Sequence, residues 1–230
     1  MSVSGPNTTD AVVDVRLRSP ATVIIAGPTG SGKTRLLMDL IAQANSVADP
    51  PPVEIIYCYS EWQPAFDEIG EADLAVPVTF YRGLMDVKRE ISTDGKNRWF
   101  IVDDLMDEAT QGGKSDALFT KYSHHLNLTV FLVVQNLFLK SLRTVSVNTQ
   151  YFFIGKNPRD ASSVTNLAKQ MAPGDTPRFI EAYKDATGKP YSFLFVSARQ
   201  ETPDKVRLTK KILPDRVQLC TPTLRDKMLD

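Results

Sequence analysis

The chain has 230 residues, 42% of them hydrophobic and 23% charged, which suits one α/β domain able to bury a core of useful size. Its 27 basic and 27 acidic side chains cancel. A global basic field for nucleic acid is thereby excluded, so any nucleic-acid contact has to come from a local patch or from assembly into a larger ring.

In chain order, residues 1–18 read as a flexible arm or short edge strand punctuated by Gly, Pro, Ser and Thr. Thr22–Ala26 (TVIIA) reads as a short buried strand, and Lys33–Ala44 as a helix with Leu36, Leu37, Leu40 and Ile41 at helical spacing. Asp49 and the prolines at 50–52 end that unit. Val53–Tyr59 predicts a second strand, Pro64–Ile69 a short helix, Val78–Tyr81 a brief strand and Gly83–Ile91 a helix. Arg98–Val102 (RWFIV) is a strong strand ending in Asp103 and Asp104. A helix over Ser115–Leu126 precedes Leu128–Val134 (LTVFLVV), whose nearly unbroken apolar run suits a central parallel strand.

Tyr151–Gly155 predicts another strand. Pro158–Met171 predicts a helix, with Pro in its first turn and Asp160 at the positive end of its dipole. Pro177–Ala186 follows as a helix and Tyr191–Ser197 as a late strand. Strand and helix alternate, which argues for an α/β fold with a mostly parallel sheet flanked by helices on both faces. The domain is expected over 19–200, with 201–230 as a C-terminal extension of unassigned structure.

Cys58 and Cys220 stand at unrelated positions and make neither a disulfide framework nor a metal site; a reducing compartment, cytosol or nucleus, fits them. The polar stretch Met1–Asp10 does not read as a signal peptide, and no apolar run approaches the ~18 residues of a membrane span.

Gly27-Pro28-Thr29-Gly30-Ser31-Gly32-Lys33-Thr34 matches G-x-x-x-x-G-K-[ST] at every fixed position, between an apolar strand and an amphipathic helix. Glycines let the backbone curl so that successive N–H groups point at phosphate oxygens, and the helix N-terminus adds partial positive charge. The pattern implies a nucleoside triphosphate with Mg²⁺. Lys33 is expected on the β/γ-phosphates and the Thr34 hydroxyl on the metal.

Asp103 and Asp104 supply the second half of that site. A hydrophobic strand that delivers a carboxylate to a P-loop provides the metal partner that phosphoryl transfer needs, which assigns Asp103 to Mg²⁺. Asp104, one residue on, is placed to polarise an attacking water, with a shorter reach than the Glu more common there. Gln135, at the end of the strand Leu128–Val134, completes the set. If that strand lies beside the P-loop strand, its amide opens onto the γ-phosphate, where open α/β sheets bind ligands.

With these residues in order, Val134-Gln135-Asn136-Leu137-Phe138, Arg143-Thr144 and Lys156-Asn157-Pro158-Arg159-Asp160 resemble the genome-packaging ATPases of the FtsK–HerA superfamily. The likeness is to the poxvirus-type branch found in polinton/maverick-like viruses and adintoviruses. Tyr59-Ser60-Glu61-Trp62-Gln63-Pro64 and Thr187-Gly188-Lys189-Pro190-Tyr191 are similar to it as well, so the resemblance runs from about Thr22 to Leu208. It implies a RecA-like P-loop NTPase fold, with ATP and Mg²⁺ as cofactors. It also implies a homo-oligomeric ring that drives double-stranded DNA into a capsid, capsid or portal-vertex proteins as partners, and a place at virion assembly sites in the host cytoplasm or nucleus.

One departure concerns the arginine finger, which superfamily motors tend to carry near a His-His-Arg-Asn segment before the sensor strand. Here that segment reads His124-His125-Leu126-Asn127. Arg143 and Arg159 are the replacement candidates, since Lys121 lacks the planar fork that suits phosphate.

Other features have plainer readings. His124 and His125 are adjacent and do not chelate together on a helix. Glu61 reads as a loop acid, with a switch carboxylate as the rarer alternative. Lys205, Arg207, Lys210 and Lys211 form a local basic cluster, read as a solvated face before a DNA-facing one. Trp62 and Trp99 read as core or near-core aromatics. A nucleotide or small-molecule kinase, and a catalytically weak nucleotide-dependent scaffold, stay open as alternatives.

Overall fold

In a computed structural model the protein is described over residues 14–105, 117–137, 143–159, 161–213 and 217–220. Phe138 and Asp160 lie outside the described residues, as do positions 115–116 of one expected helix, the prolines at 214 and 222, and the chain ends.

The architecture is α/β, with a large, mostly parallel sheet flanked by helices on both faces. The strands are β1 Leu17–Arg18, β2 Ala21–Ala26, β3 Ala48–Asp49, β4 Glu54–Tyr59, β5 Val78–Arg82, β6 Arg98–Asp103, β7 Leu128–Val134, β8 Tyr151–Gly155, β9 Phe193–Ser197, β10 Leu208–Lys211 and β11 Gln218–Leu219. Nine of them form one sheet in the order β11-β10-β9-β8-β2-β7-β6-β4-β5, while β1 and β3 pair separately in parallel. From β5 to β8 all pairings are parallel; β9, β10 and β11 are added antiparallel on the β8 edge.

The placement of β7 matters most. It pairs with β2 from Ala21↔Thr129 to Ala26↔Val134 and with β6 from Arg98↔Leu128 to Asp103↔Val133. The strand that leads into Gln135 therefore lies between the P-loop strand and the acidic strand.

Both central strands are buried at every position, as parallel strands covered on two faces must be. Side chains alternate between the faces with period two. Ile24, Ala26, Val130 and Leu132 join one apolar cluster with Val164, Leu167 and Phe179, which come from the helices Ala161–Met171 and Thr176–Ala186. Val23, Ile25, Phe131 and Val133 join the other with Leu37, Leu40, Ile41 and Phe66, from the helices α1 (Lys33–Ala42) and Pro64–Glu71. Each large side chain buried this way is worth about 1.5–3 kcal/mol relative to exposure.

Several expected elements change. The helix expected over Gly83–Ile91 shrinks to Val87–Glu90, because Gly83 is left-handed (φ 86°) and the Asp86 carboxylate caps the helix start by accepting from the Lys88 amide. The helix expected to Leu126 is a π-helical segment, Leu118–Tyr122, running into a short α-turn at Ser123–His125. Arg143 opens a short helix, Arg143–Val147; its side chain lies outside what is described. The helix expected from Pro158 is Ala161–Met171.

The ends are also revised. Leu17 is fully buried in β1, so of the two readings of residues 1–18, a flexible arm or a short edge strand, residues 17–18 take the strand. Beyond residue 200, β10 and β11 continue the main sheet, so at least residues 208–211 and 218–219 belong to the domain. Trp99 is fully buried, as expected, whereas Trp62 is 50% exposed. Trp62 packs its ring edge against Tyr59, Phe66 and Phe80 and donates to Asp67 Oδ1 at 3.1 Å. Among the described residues no helix is long and apolar enough to cross a membrane.

Candidate nucleotide site

The loop between β2 and α1 is tied down at both ends. Gly27 N–H donates to Val134 O at 3.2 Å, Ser31 N–H to Pro28 O at 3.1 Å, and Leu36 N–H to Gly32 O at 2.9 Å. Gly30 (φ 76°) and Gly32 (φ 91°) take left-handed conformations that side chains rarely adopt. A Cβ on Gly27 would lie 2.6 Å from Ser31 Oγ, so a side chain there would push the Ser31 hydroxyl aside.

Lys33 Nζ donates to the carbonyls of Gly27 (2.7 Å) and Pro28 (3.1 Å), holding its charge inside the curl of the loop. Burial pushes its pKa down, and the charges of Asp103 and Asp104 oppose that shift. Thr34 Oγ1 donates to Gln63 Oε1 at 3.0 Å. That bond leaves the hydroxyl's lone pairs available to a cation.

Asp103 ends β6 and is only 5% exposed. Its Oδ2 accepts a 2.6 Å hydrogen bond from the Tyr57 hydroxyl on neighbouring β4. Burial raises the Asp103 pKa; the Tyr57 bond and Lys33 oppose the rise, and the charge of Asp104 adds to it. Tyr57 is in turn driven far above the usual phenol range by burial and by the Asp103 charge, so it stays a donor. Asp104, one residue on, is exposed and left-handed (φ 56°).

A cavity of about 610 Å³ brings these groups together. Gly32, Lys33 and Thr34 line it with Asp103, Asp104, Gln135, Gln63 and Tyr191. Gln135, immediately past β7, is exposed on its wall, while the neighbouring Asn136 Oδ1 accepts from Ser163 Oγ at 3.5 Å. Of the expected catalytic set, Lys33, Asp104 and Gln135 therefore share one space with the metal candidates Thr34 and Asp103. Arg159 follows β8 on an exposed turn and does not line the cavity; its amide donates to Asn157 Oδ1 at 3.2 Å.

These residues fit an Mg²⁺–nucleotide. A neutral hydroxyl and one buried carboxylate suit an ion that keeps most of its waters. Among the described residues no cluster of three or more His, Cys, Asp or Glu could bind a metal by itself. Ser31 Oγ is buried in the loop without a hydrogen-bond partner, a polar atom that a phosphate oxygen would satisfy.

Sequence reading missed three residues here. Tyr57 and Gln63 reach the site across 46 and 29 positions of chain, and Tyr191, expected as the first residue of a strand, precedes the strand Phe193–Ser197. The basic cluster also looks different in space. Arg207 donates to the carbonyls of Ser197, Arg199 and Thr202, and Lys210 pairs with Asp185, so neither offers a free charge to DNA.

Fold and site together define a P-loop NTPase-type domain with one strand interposed between its P-loop and acidic strands. Its fold is similar to the cytoplasmic domain of the type VII secretion ATPase EccC from Thermomonospora curvata, at 13% sequence identity and a TM-score of 0.51. The likeness covers 78% of this chain and 24% of that one, so this chain spans less than a quarter of the length of the protein it matches. No protein-family model matches the chain, and no curated protein matches it.

Proposed function

We propose that the chain is an Mg²⁺-dependent ATPase that works as a homo-oligomeric ring and drives double-stranded DNA into a viral capsid. One observation carries the hydrolytic part. Asp103 and Asp104 from β6 and Gln135 from β7 converge with Lys33 and Thr34 on a single cavity. The packaging part rests on the resemblance of the Gln135–Phe138 and Lys156–Asp160 segments to packaging ATPases; the likeness to a secretion ATPase supports the fold alone.

Mg²⁺, when bound, would neutralise charge developing on the phosphate oxygens. Lys33 would exchange the Gly27 and Pro28 carbonyls for phosphate oxygens. Thr34 and Asp103 would hold the ion, with Gln63 and Tyr57 fixing their orientation. Asp104, exposed on the cavity wall, would take the proton of the attacking water. Gln135 would orient that water and report the state of the γ-phosphate to neighbouring subunits. Arg143 and Arg159 are the proposed sources of a cation acting across a subunit boundary; Arg159 is exposed and has no carboxylate partner among the described residues.

The test is phosphate release from Mg²⁺–ATP, with and without double-stranded DNA, on protein whose oligomeric state is measured in parallel. DNA-stimulated hydrolysis by a ring is expected. Phosphate transfer to a nucleotide acceptor without hydrolysis would overturn the reading in favour of a kinase. Tight ATP binding with no turnover, in a DNA-bound ring, would overturn it in favour of a scaffold.

A further inference from the structure

We propose that Tyr191 is the platform on which the base of the bound nucleotide stacks, adding base recognition to a loop that otherwise reads only phosphates. This rests on the nucleotide-binding reading above.

Among the described residues, three other than glycine have a left-handed backbone: Asp104 (φ 56°), Asn127 (φ 51°) and Tyr191 (φ 58°). Asn commonly takes this conformation, and Asn127 is also fixed by donating its side-chain amide to Gly95 O at 2.8 Å. The other two both line the P-loop cavity. For a bulky aromatic residue the left-handed region is a true outlier, kept where surrounding structure imposes it and concentrated at functional sites.

Among the described residues no hydrogen bond, ion pair or ring contact of the Tyr191 side chain offsets that strain. Tyr191 is 74% exposed, so its ring is not buried in the core. Among the described residues its ring stacks on no other aromatic and its hydroxyl has no hydrogen-bond partner. Among the described residues it is also the only aromatic side chain that lines the cavity.

Its position suits a base. A Cβ added to Gly32 would lie 3.1 Å from Tyr191 Cβ and 3.2 Å from Cδ1, so the ring starts directly beside the P-loop. Tyr191 leads into β9, which pairs with β8 through Gly155↔Phe193, and β8 flanks β2 on the side away from β7. Asp103, Asp104 and Gln135 occupy the β7–β6 side. With the triphosphate held at Lys33 and its reacting end toward the carboxylates, the base leaves toward the β8–β9 side, where Tyr191 offers an open face. Stacking of this kind accepts any base, because every base has a π-face.

The test compares affinities of the full chain for Mg²⁺–ATP and for Mg²⁺–tripolyphosphate, which has no base, by calorimetry. Tyr191→Asn keeps a residue that tolerates the left-handed backbone while removing the ring, and Tyr191→Phe keeps the ring. The assignment expects Tyr191→Asn to weaken ATP binding about tenfold and to leave tripolyphosphate unchanged, with Tyr191→Phe close to wild type. Unchanged ATP affinity in Tyr191→Asn overturns it, as does equal weakening toward both ligands, which would mark a loop-shaping role. Wild-type protein that binds neither ligand overturns the nucleotide reading itself, and this assignment with it.

Discussion

The two flanks of the P-loop differ in how far they are assembled before any ligand arrives. On the β7–β6–β4 flank, Thr34 is held by Gln63 and Asp103 by Tyr57, and the carboxylate is almost wholly buried. On the β8–β9 flank, Tyr191 and Arg159 are exposed, and neither side chain has a hydrogen-bond or ion-pair partner among the described residues. Groups that act on developing charge gain from being fixed in advance, because they then cost no reorganisation at the moment of reaction. Groups that meet a base or a neighbouring subunit gain nothing until that partner is present. On the proposed reading, chemistry is preset on one side, and recognition is completed by ligand and assembly on the other.

Substitutions on the preset flank should therefore cost the most. Lys33→Ala should lower turnover by at least about 10²-fold, as removal of a preorganised charge donor does. It should leave the melting temperature nearly unchanged, because burial already works against the Lys33 charge. Steady-state ATPase assays with thermal melts check both; a large loss of stability would contradict the second.

Gln63→Ala and Tyr57→Phe should each weaken Mg²⁺-dependent nucleotide affinity by about 10–100-fold, the usual cost of removing a residue that orients a metal ligand. Tyr57→Phe should also destabilise the fold by about 1–3 kcal/mol in urea unfolding, since a buried carboxylate loses its donor. If Gln63→Ala leaves the Mg²⁺ dependence of binding unchanged, the comparison between the flanks breaks at Thr34.

The smallest effect lies outside the site and serves as a control. Asp94 caps Arg98 with bonds of 2.7 and 2.8 Å at the start of β6, and the guanidinium pulls its pKa below the ordinary value of 3.8. A depressed folded pKa means that the pair's stabilisation is present above pH 3.8 and is lost as pH falls toward the folded value. Wild type should be modestly more stable than Asp94→Asn at pH 7, with the gap narrowing as pH falls below 3.8; urea unfolding of both proteins from neutral pH down to about pH 2 reads this.

The residues on the β7–β6 side of the cavity were largely legible in the sequence, and those on the other side were not. The P-loop is a contiguous motif, and Asp103, Asp104 and Gln135 each follow directly on an apolar strand, so local pattern placed them. The run Leu128–Val134 became β7 with the same bounds, because a short apolar run rich in β-branched and aromatic residues suits a strand buried on both faces. Tyr57 and Gln63 were invisible because their partners are distant in the chain and β4 reads simply as core. Tyr191 looked like the first residue of a strand, since left-handed backbone at an aromatic leaves no sequence signature. The strands β10 and β11 escaped because strands as short as Leu-Thr-Lys-Lys and Gln-Leu lack a clear alternation.

The central claim is that this P-loop hydrolyses what it binds, through Asp104. Single-turnover cleavage of Mg²⁺–ATP by wild type and by Asp104→Asn, at saturating protein, tests it most directly. A general base contributes about 10²–10⁴-fold, so Asp104→Asn should slow cleavage by that factor while its nucleotide affinity stays within a few-fold of wild type. Cleavage at the wild-type rate in Asp104→Asn would contradict the account.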